Sequence, residues 1–277
     1  MSVWAMSALV GFAAFGAGLL GSLTGLGGGI VIVPLLTLGF GVAIPYAVGA
    51  SLIAVIATSS GSAAAYVKQG YTNIRVGMFL EIATTIGALA GAYLAGIIPT
   101  HVIAVIFAIV LILTAMQSLR PRLEHLTEVK GKLEQRMRLG STYPTAAGLQ
   151  RYEVRHVPMG FAIMFVAGIL SALLGIGSGV VKVVALDHAM YLPFKVSTTT
   201  SNFMIGVTAA ASAGVYLHRG YIDPTLAFPV MVGVLAGAVV GARVLGAART
   251  QSLRLLFTGV MVVLAAEMLY KGVTGAL

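Results

Sequence analysis

Two stretches of this chain, GLLGSLTGLGGGIVIVP (Gly18–Pro34) and GILSALLGIGSGVVKVV (Gly168–Val184), set a dense glycine break in the middle of an apolar run of helix length. They stand in register: Gly25, Gly27 and Gly29 are answered 150 residues later by Gly175, Gly177 and Gly179, and Gly28 is answered by Ser178. No other feature narrows the possible folds so far. A backbone interrupted at membrane depth must turn its freed N–H and C=O groups toward protein or a water-filled cavity, because lipid offers them no partner. Interrupted segments at matching places in two halves are the sequence mark of a transporter's central site.

Composition places these runs in a bilayer. Of 277 residues, 58% are hydrophobic and 9% charged, with a mean hydropathy of +0.99, too apolar for a domain with a polar surface. A helix needs about 20 apolar residues to cross the hydrocarbon. The first half offers Trp4–Thr24, continued past the glycines by Ile30–Phe40, then Tyr46–Val67, Val76–Ile98 and Val102–Leu119. The second offers a broken Phe161–Leu186, then Phe194–Leu217, Leu226–Leu245 and Leu253–Leu269. The predicted fold is an all-α polytopic membrane protein of two homologous halves, residues 1–119 and 158–277, each with a glycine-broken first helix and three further spans. The first basic residue is Lys68, so the N-terminal run lacks the charged start of a secretory signal and is expected to be a retained helix.

The repeat extends beyond the glycines. SAAAYVKQGYTN (Ser62–Asn73) aligns with SAGVYLHRGYID (Ser212–Asp223), and Gly87 and Gly91 match Gly237 and Gly241 at a four-residue spacing suited to close helix packing. Between the halves, residues 120–157 carry eight of the 17 Lys and Arg residues. This reads as a cytoplasmic basic linker under the positive-inside bias, not as a nucleic-acid surface. A surface helix is expected up to about Leu139 and a flexible link over Gly140–Gly148.

Orientation of the halves depends on parity. If each broken segment counts as one crossing, the halves are parallel; if it enters and leaves on one side, each half crosses three times and they are inverted. With the linker inside, inversion puts Arg243, Arg249 and Arg254 in the cytoplasm and Arg219 and Lys271 outside, and the parallel scheme does the reverse. Inversion also supplies two interconvertible faces, and it is the reading preferred here.

The GLGGGxxxxP segment, its degenerate second copy, the Ser/Thr-rich helix after each, the GAR tripeptide Gly241–Arg243 and the basic mid-loop together resemble the TauE/SafE family of sulfite and organosulfonate exporters. The resemblance covers nearly the whole chain. It implies a bacterial inner-membrane secondary transporter that exports small sulfur-containing anions such as sulfite, sulfoacetate or related organosulfonates by alternating access. The second copy departs from the first: Ser178 stands in the glycine run, Lys182 where the first half has Ile32, and Val184 where it has Pro34.

Such an anion needs donors. Backbone N–H groups at helix starts freed by the breaks supply them, which points to Gly27, Gly28, Gly29, Gly177, Ser178 and Gly179, although the same glycines also allow tight helix packing. Hydroxyl and amide donors come from Ser51 and from the run KVSTTTSN, with Thr199, Ser201 and Asn202. Charged residues within spans are functional by default. Lys182 is the candidate counter-charge. Glu81 either carries a coupling proton or pairs with Arg75, and Asp187 and His188 in the following turn suit a gate or proton step. There is no cysteine, no HExxH pair and no GxSxG elbow, so no enzyme, metal or cofactor is expected. A passive anion channel and an uptake transporter are the competing readings.

Overall fold

The computed structural model describes residues 3–24, 29–119, 139–145, 148–245 and 250–275. The first half forms α1 (Val3–Thr24), α2 (Gly29–Pro34) continued by a π-helical turn (Leu35–Gly39), α3 (Ile44–Lys68), α4 (Ile74–Leu94) and α5 (Thr100–Leu119). The second forms α6 (Val157–Leu174), α7 (Gly179–Val184) with its π-helical turn (Ala185–Ala189), α8 (Phe194–His218), α9 (Pro224–Leu245) and α10 (Thr250–Thr274). α2, both π-turns and α3 keep the 150-residue offset to their counterparts at both ends. Ile44–Lys68, Ile74–Leu94 and Val157–Leu174 are each long and apolar enough to cross a membrane. Ile82, Ile86 and Leu89 of α4 and Ile109, Leu113 and Met116 of α5 are exposed, as a lipid-facing exterior requires.

Residues 140–148 differ from the flexible link expected of them. β1 (Ser141–Thr145) and β2 (Gly148–Tyr152) form an antiparallel hairpin with Ser141 opposite Tyr152. The Tyr143 and Tyr152 rings meet edge-on at 5.9 Å, and the Thr145 hydroxyl donates to the Gly148 carbonyl at 2.7 Å. A two-stranded ribbon has free edges, which is why Pro144, with no N–H, is tolerated in it. The surface helix expected before Leu139 lies outside the described residues.

Helices pair across the halves: α1 with α9, α4 with α6, α3 with α8 and α5 with α10. Glycine sets the closest approaches. A Cβ on Gly87 of α4 would sit 2.1 Å from the Phe165 carbonyl oxygen of α6, and one on Gly237 of α9 would sit 2.0 Å from that of Phe15 in α1. The repeated glycines therefore perform one task twice, letting backbone lie against backbone where any side chain would hold the helices apart.

The hairpin marks one end of the bundle. Asn73, before α4, donates from Nδ2 to the Leu139 carbonyl at 2.9 Å, and the Arg155 N–H donates to the Met190 carbonyl at 3.1 Å. So the α3–α4 turn, the start of α6 and the exit of α7 share this linker end. At the opposite end Tyr46 and Tyr221 stack edge-on at 5.6 Å, beside a cleft of about 510 Å³ lined by Met6, Val10, Val42, Tyr46, Asp223 and Leu226. The start of α1 and the exit of α2 both lie there.

Gly87→Ala and Gly237→Ala are expected to lower stability by at least about 1–3 kcal/mol through overpacking, read as a fall in melting temperature in detergent. Gly214→Ala, where an added Cβ meets nothing within 4 Å, should leave it within about 0.5 kcal/mol.

Candidate functional site

The two interruptions meet inside the bundle. Ser51, in α3, places its Oγ 2.7 Å from the Gly175 carbonyl oxygen and 3.2 Å from that of Gly29, and a Cβ on Gly29 would lie 3.3 Å from the same Gly175 oxygen. Ser201, its counterpart in α8, donates to the Gly179 carbonyl at 3.2 Å. Ser51 thus satisfies the Gly175 carbonyl that the second break releases, and each serine adds a bond to the carbonyl of the first residue of a short helix. Gly175 and Gly177 hold φ of 66° and 69°, which glycine adopts without a steric penalty. Ser178 takes φ 41° between them and Gly179, with its hydroxyl donated to the Ala167 carbonyl.

The volume left by the missing side chains is occupied. A Cβ on Gly29 would lie 2.4 Å from Val55 Cγ2, and one on Gly177 would lie 2.6 Å from Ile205 Cγ2. Close contact with these methyl groups favours glycine at both positions, and at Gly177 the positive φ adds to it. Gly27 and Gly28 lie outside the described residues.

Beside the second break a charged chain crosses between the halves. Lys182 of α7 is completely buried, and its Nζ donates to Thr208 Oγ1 of α8 at 2.6 Å. Thr208 Oγ1 in turn lies 2.6 Å from Glu81 Oε1 of α4. A threonine hydroxyl has one hydrogen and two lone pairs, so it accepts from the ammonium and donates to the carboxylate, joining the two charges through a neutral group. Thr85 adds a longer contact to Glu81 Oε1 at 3.4 Å, and Oε2 is buried with no hydrogen-bond partner among the described residues. Lys182 has three N–H donors and, among the described residues, Thr208 as its one hydrogen-bond partner. It is also the one buried Lys or Arg among them.

Glu81 thus turns to Thr208 and, through it, to Lys182. Thr208 was not singled out by the sequence. The signal that would have found it is the repeat itself, since Thr208 stands 150 residues after Thr58 in the Ser/Thr-rich span of the first half. The counterparts of Lys182 and Glu81 are Ile32 and Met231, so each half supplies one member of the pair and neither charge is repeated.

Other predicted positions serve the frame. Thr199 donates to the Tyr71 carbonyl at 3.0 Å, and Asn202 is buried on the same helix. Asp187 is buried at the linker end with its Oδ2 3.3 Å from Nδ1 of the exposed His188. Asn73, which the sequence also left unremarked, caps α4 by accepting from the Val76 N–H at 3.1 Å and donates its own N–H to Thr200 Oγ1 at 3.0 Å. Its Nδ2 donates to Tyr152 Oη at 2.8 Å, and burial pushes that phenol up to about 12, so it stays neutral.

Comparison with known proteins points in one direction. The family described as "Sulfite exporter TauE/SafE" matches residues 10–268. The probable membrane transporter protein YunE of Bacillus subtilis is 29% identical over 266 residues, covering 93% of this chain and 95% of that protein. The probable membrane transporter protein YdhB of the same organism is 30% identical over 220 residues, covering 79% and 82%. The probable membrane transporter protein MJ0441 of Methanocaldococcus jannaschii is 24% identical over 268 residues, covering 91% of each. No solved structure matches the chain.

Thr208→Val keeps the shape and removes the bridging hydroxyl; a loss of about 1.5–3 kcal/mol is expected for hydrogen bonds to charged groups. Thr114, whose buried hydroxyl bonds its own helix at the Val110 carbonyl, serves as the control. Thr114→Val should shift the melting temperature far less than Thr208→Val when both are unfolded in the same detergent.

Proposed function

The chain belongs to the TauE/SafE sulfite exporter family of membrane transporters, and from that premise we propose that it exports small sulfur-containing anions across the bacterial inner (cell) membrane by alternating access. Sulfite, sulfoacetate and related organosulfonates are the proposed cargo. The observation that carries this reading is Lys182: a completely buried ammonium with two N–H groups to spare, beside the point where two broken helices meet. A cation costs several kcal/mol to bury. A compact anion with several acceptor oxygens would complete the hydrogen bonding that the apolar surroundings leave short.

In this reading Lys182 supplies the counter-charge, with Asn202 and Thr199 as polar neighbours along α8. Gly27, Gly28, Gly29, Gly177, Ser178 and Gly179, with Ser51 and Ser201, shape the interruption around the anion. Complete burial of Lys182 suits an occluded state that must open toward one side or the other to exchange its cargo.

The halves, residues 1–119 and 158–277, are proposed to be inverted repeats joined by a cytoplasmic linker over 120–157. Two observations support this. α1 starts at the end opposite the linker and α6 at the linker end, while each broken pair leaves by the end it entered. Lys68, Arg75, Arg151, Arg155 and Lys195 stand at or beside elements of the linker end, against Arg219 and Lys271 at the other, which is the asymmetry expected if the linker end is inside.

Purified protein in liposomes is expected to move sulfite or sulfoacetate with saturable kinetics, and Lys182→Met should cut that flux at least about tenfold with an unchanged amount of reconstituted protein. Flux that rises linearly with concentration and survives in Lys182→Met would instead identify a passive pore.

A further inference from the structure

Building on the transport reading above, we infer that Glu81 is the proton carrier of this site and that it takes up its proton in the same step that loads the anion, so one proton travels with each anion in the same direction. The argument starts from the shared partner. Lys182 and Glu81 are joined through the single Thr208 hydroxyl, at 2.6 Å on each side, and form a compensated pair when the site is empty. An arriving anion takes the free N–H groups of Lys182. The site then holds two negative groups against one positive, in surroundings that screen poorly.

Among the described residues no second buried Lys or Arg can restore the balance. The elements packed most closely against α4 are α6 and α8, and α4 itself carries, besides Glu81, Arg75 in its exposed first turn. α6 carries no Asp, Glu, Lys, Arg, His or Tyr. The ionisable residues of α8 are Lys195, exposed and 6.0 Å from the Tyr71 ring centroid, Tyr216, whose hydroxyl donates to the Ala172 carbonyl, and His218 at the far end of the helix. Among the described residues, Lys182 is therefore the one buried cation that compensates Glu81. When the anion claims it, the cheaper response is protonation of the carboxylate.

The atom that receives the proton is already available. Glu81 Oε2 is buried without a hydrogen-bond partner among the described residues, while Oε1 is held by Thr208. A proton drawn from the aqueous side then open bonds to Oε2, no other bond breaks, and it is given back to water when the anion leaves and Lys182 returns to the carboxylate. The ratio of one follows from the repeat. Ile32 in the first half and Met231 in the second occupy the equivalent places, so only one ionisable pair exists for both symmetry-related sites.

The test uses full-length protein and sulfite as probe. Sulfite itself binds protons near neutral pH, so the reading is the difference between wild type and Glu81→Gln. Calorimetric titration in two buffers of different ionisation enthalpy should show wild type taking up about one proton more per bound sulfite than Glu81→Gln. In liposomes with the membrane potential clamped, a gradient of one pH unit should raise wild-type accumulation about tenfold above that of Glu81→Gln. Self-exchange of labelled sulfite should persist in the variant, since the amide stands in for the protonated acid. Equal proton uptake or equal gradient response in the two proteins overturns the inference while leaving transport intact. Should Glu81→Gln not assemble, infrared difference spectra of wild type with and without sulfite decide alone: the appearance of a protonated-carboxyl band on binding sustains the inference and its absence overturns it. Absence of saturable sulfite exchange by wild type defeats the transport reading, and this inference with it.

Discussion

Satisfying a broken backbone far from water is the constraint on which this architecture turns. Each interruption leaves backbone groups that hydrocarbon cannot accommodate, and a serine at the same place in each long helix tends them, Ser51 bonding Gly175 past the end of α6 and Gly29 at the start of α2, and Ser201 bonding Gly179 at the start of α7. The solution links the halves, because Ser51 belongs to the first and Gly175 to the second. The second break is thus closed in part by the first half. The pairing of α3 with α8 follows, and around it the glycine-backed pairs α1 with α9 and α4 with α6.

The frame is nearly symmetric, but the chemistry is not. Gly87 against Phe165 and Gly237 against Phe15 are the same contact made twice, whereas Lys182, Thr208 and Glu81 occur once. Packing in a bilayer rewards repetition, since a glycine stripe that fits one helix pair fits its counterpart. A buried ion pair carries a desolvation cost each time it is installed. One copy gives a charged centre; a second would add cost without a second place to bind, because the two breaks converge on one region.

Much of this was legible in residue order. The apolar runs located the long helices to within a few residues, since length and hydropathy alone decide membrane helices, and the 150-residue offset placed both breaks. Lys182 and Glu81 stood out as charges in apolar spans. Their connection did not, because Thr208 looks like any hydroxyl that bonds back to its own helix, and it does also reach the Met204 carbonyl at 3.0 Å. The hairpin escaped notice for a different reason: Gly, Ser, Thr and Pro over 140–148 suit a loose link as well as a turn, and what decides is tertiary, the docking of Tyr152 and Leu139 on Asn73.

That docking makes the two ends of the bundle unequal. At the linker end Asn73 and Tyr71 of the first half bond Thr200 and Thr199 of the second, and the hairpin closes over them. At the opposite end the positions matching Thr199 and Thr200 are Gly49 and Ala50, without hydroxyls. Gly49 presses against the Tyr221 carbonyl, where a Cβ would sit 2.3 Å away, and a cleft opens beside it. A rearrangement that parts α4 from α8 at the linker end must break several directed hydrogen bonds together. At the other end Gly49 meets Tyr221 by van der Waals contact, while Arg219 donates to the Ala92 and Tyr93 carbonyls at 2.7 and 3.2 Å. Near-symmetry in packing thus goes with unlike hydrogen bonding at the two ends: side-chain hydroxyls and an amide at one, a guanidinium at the other.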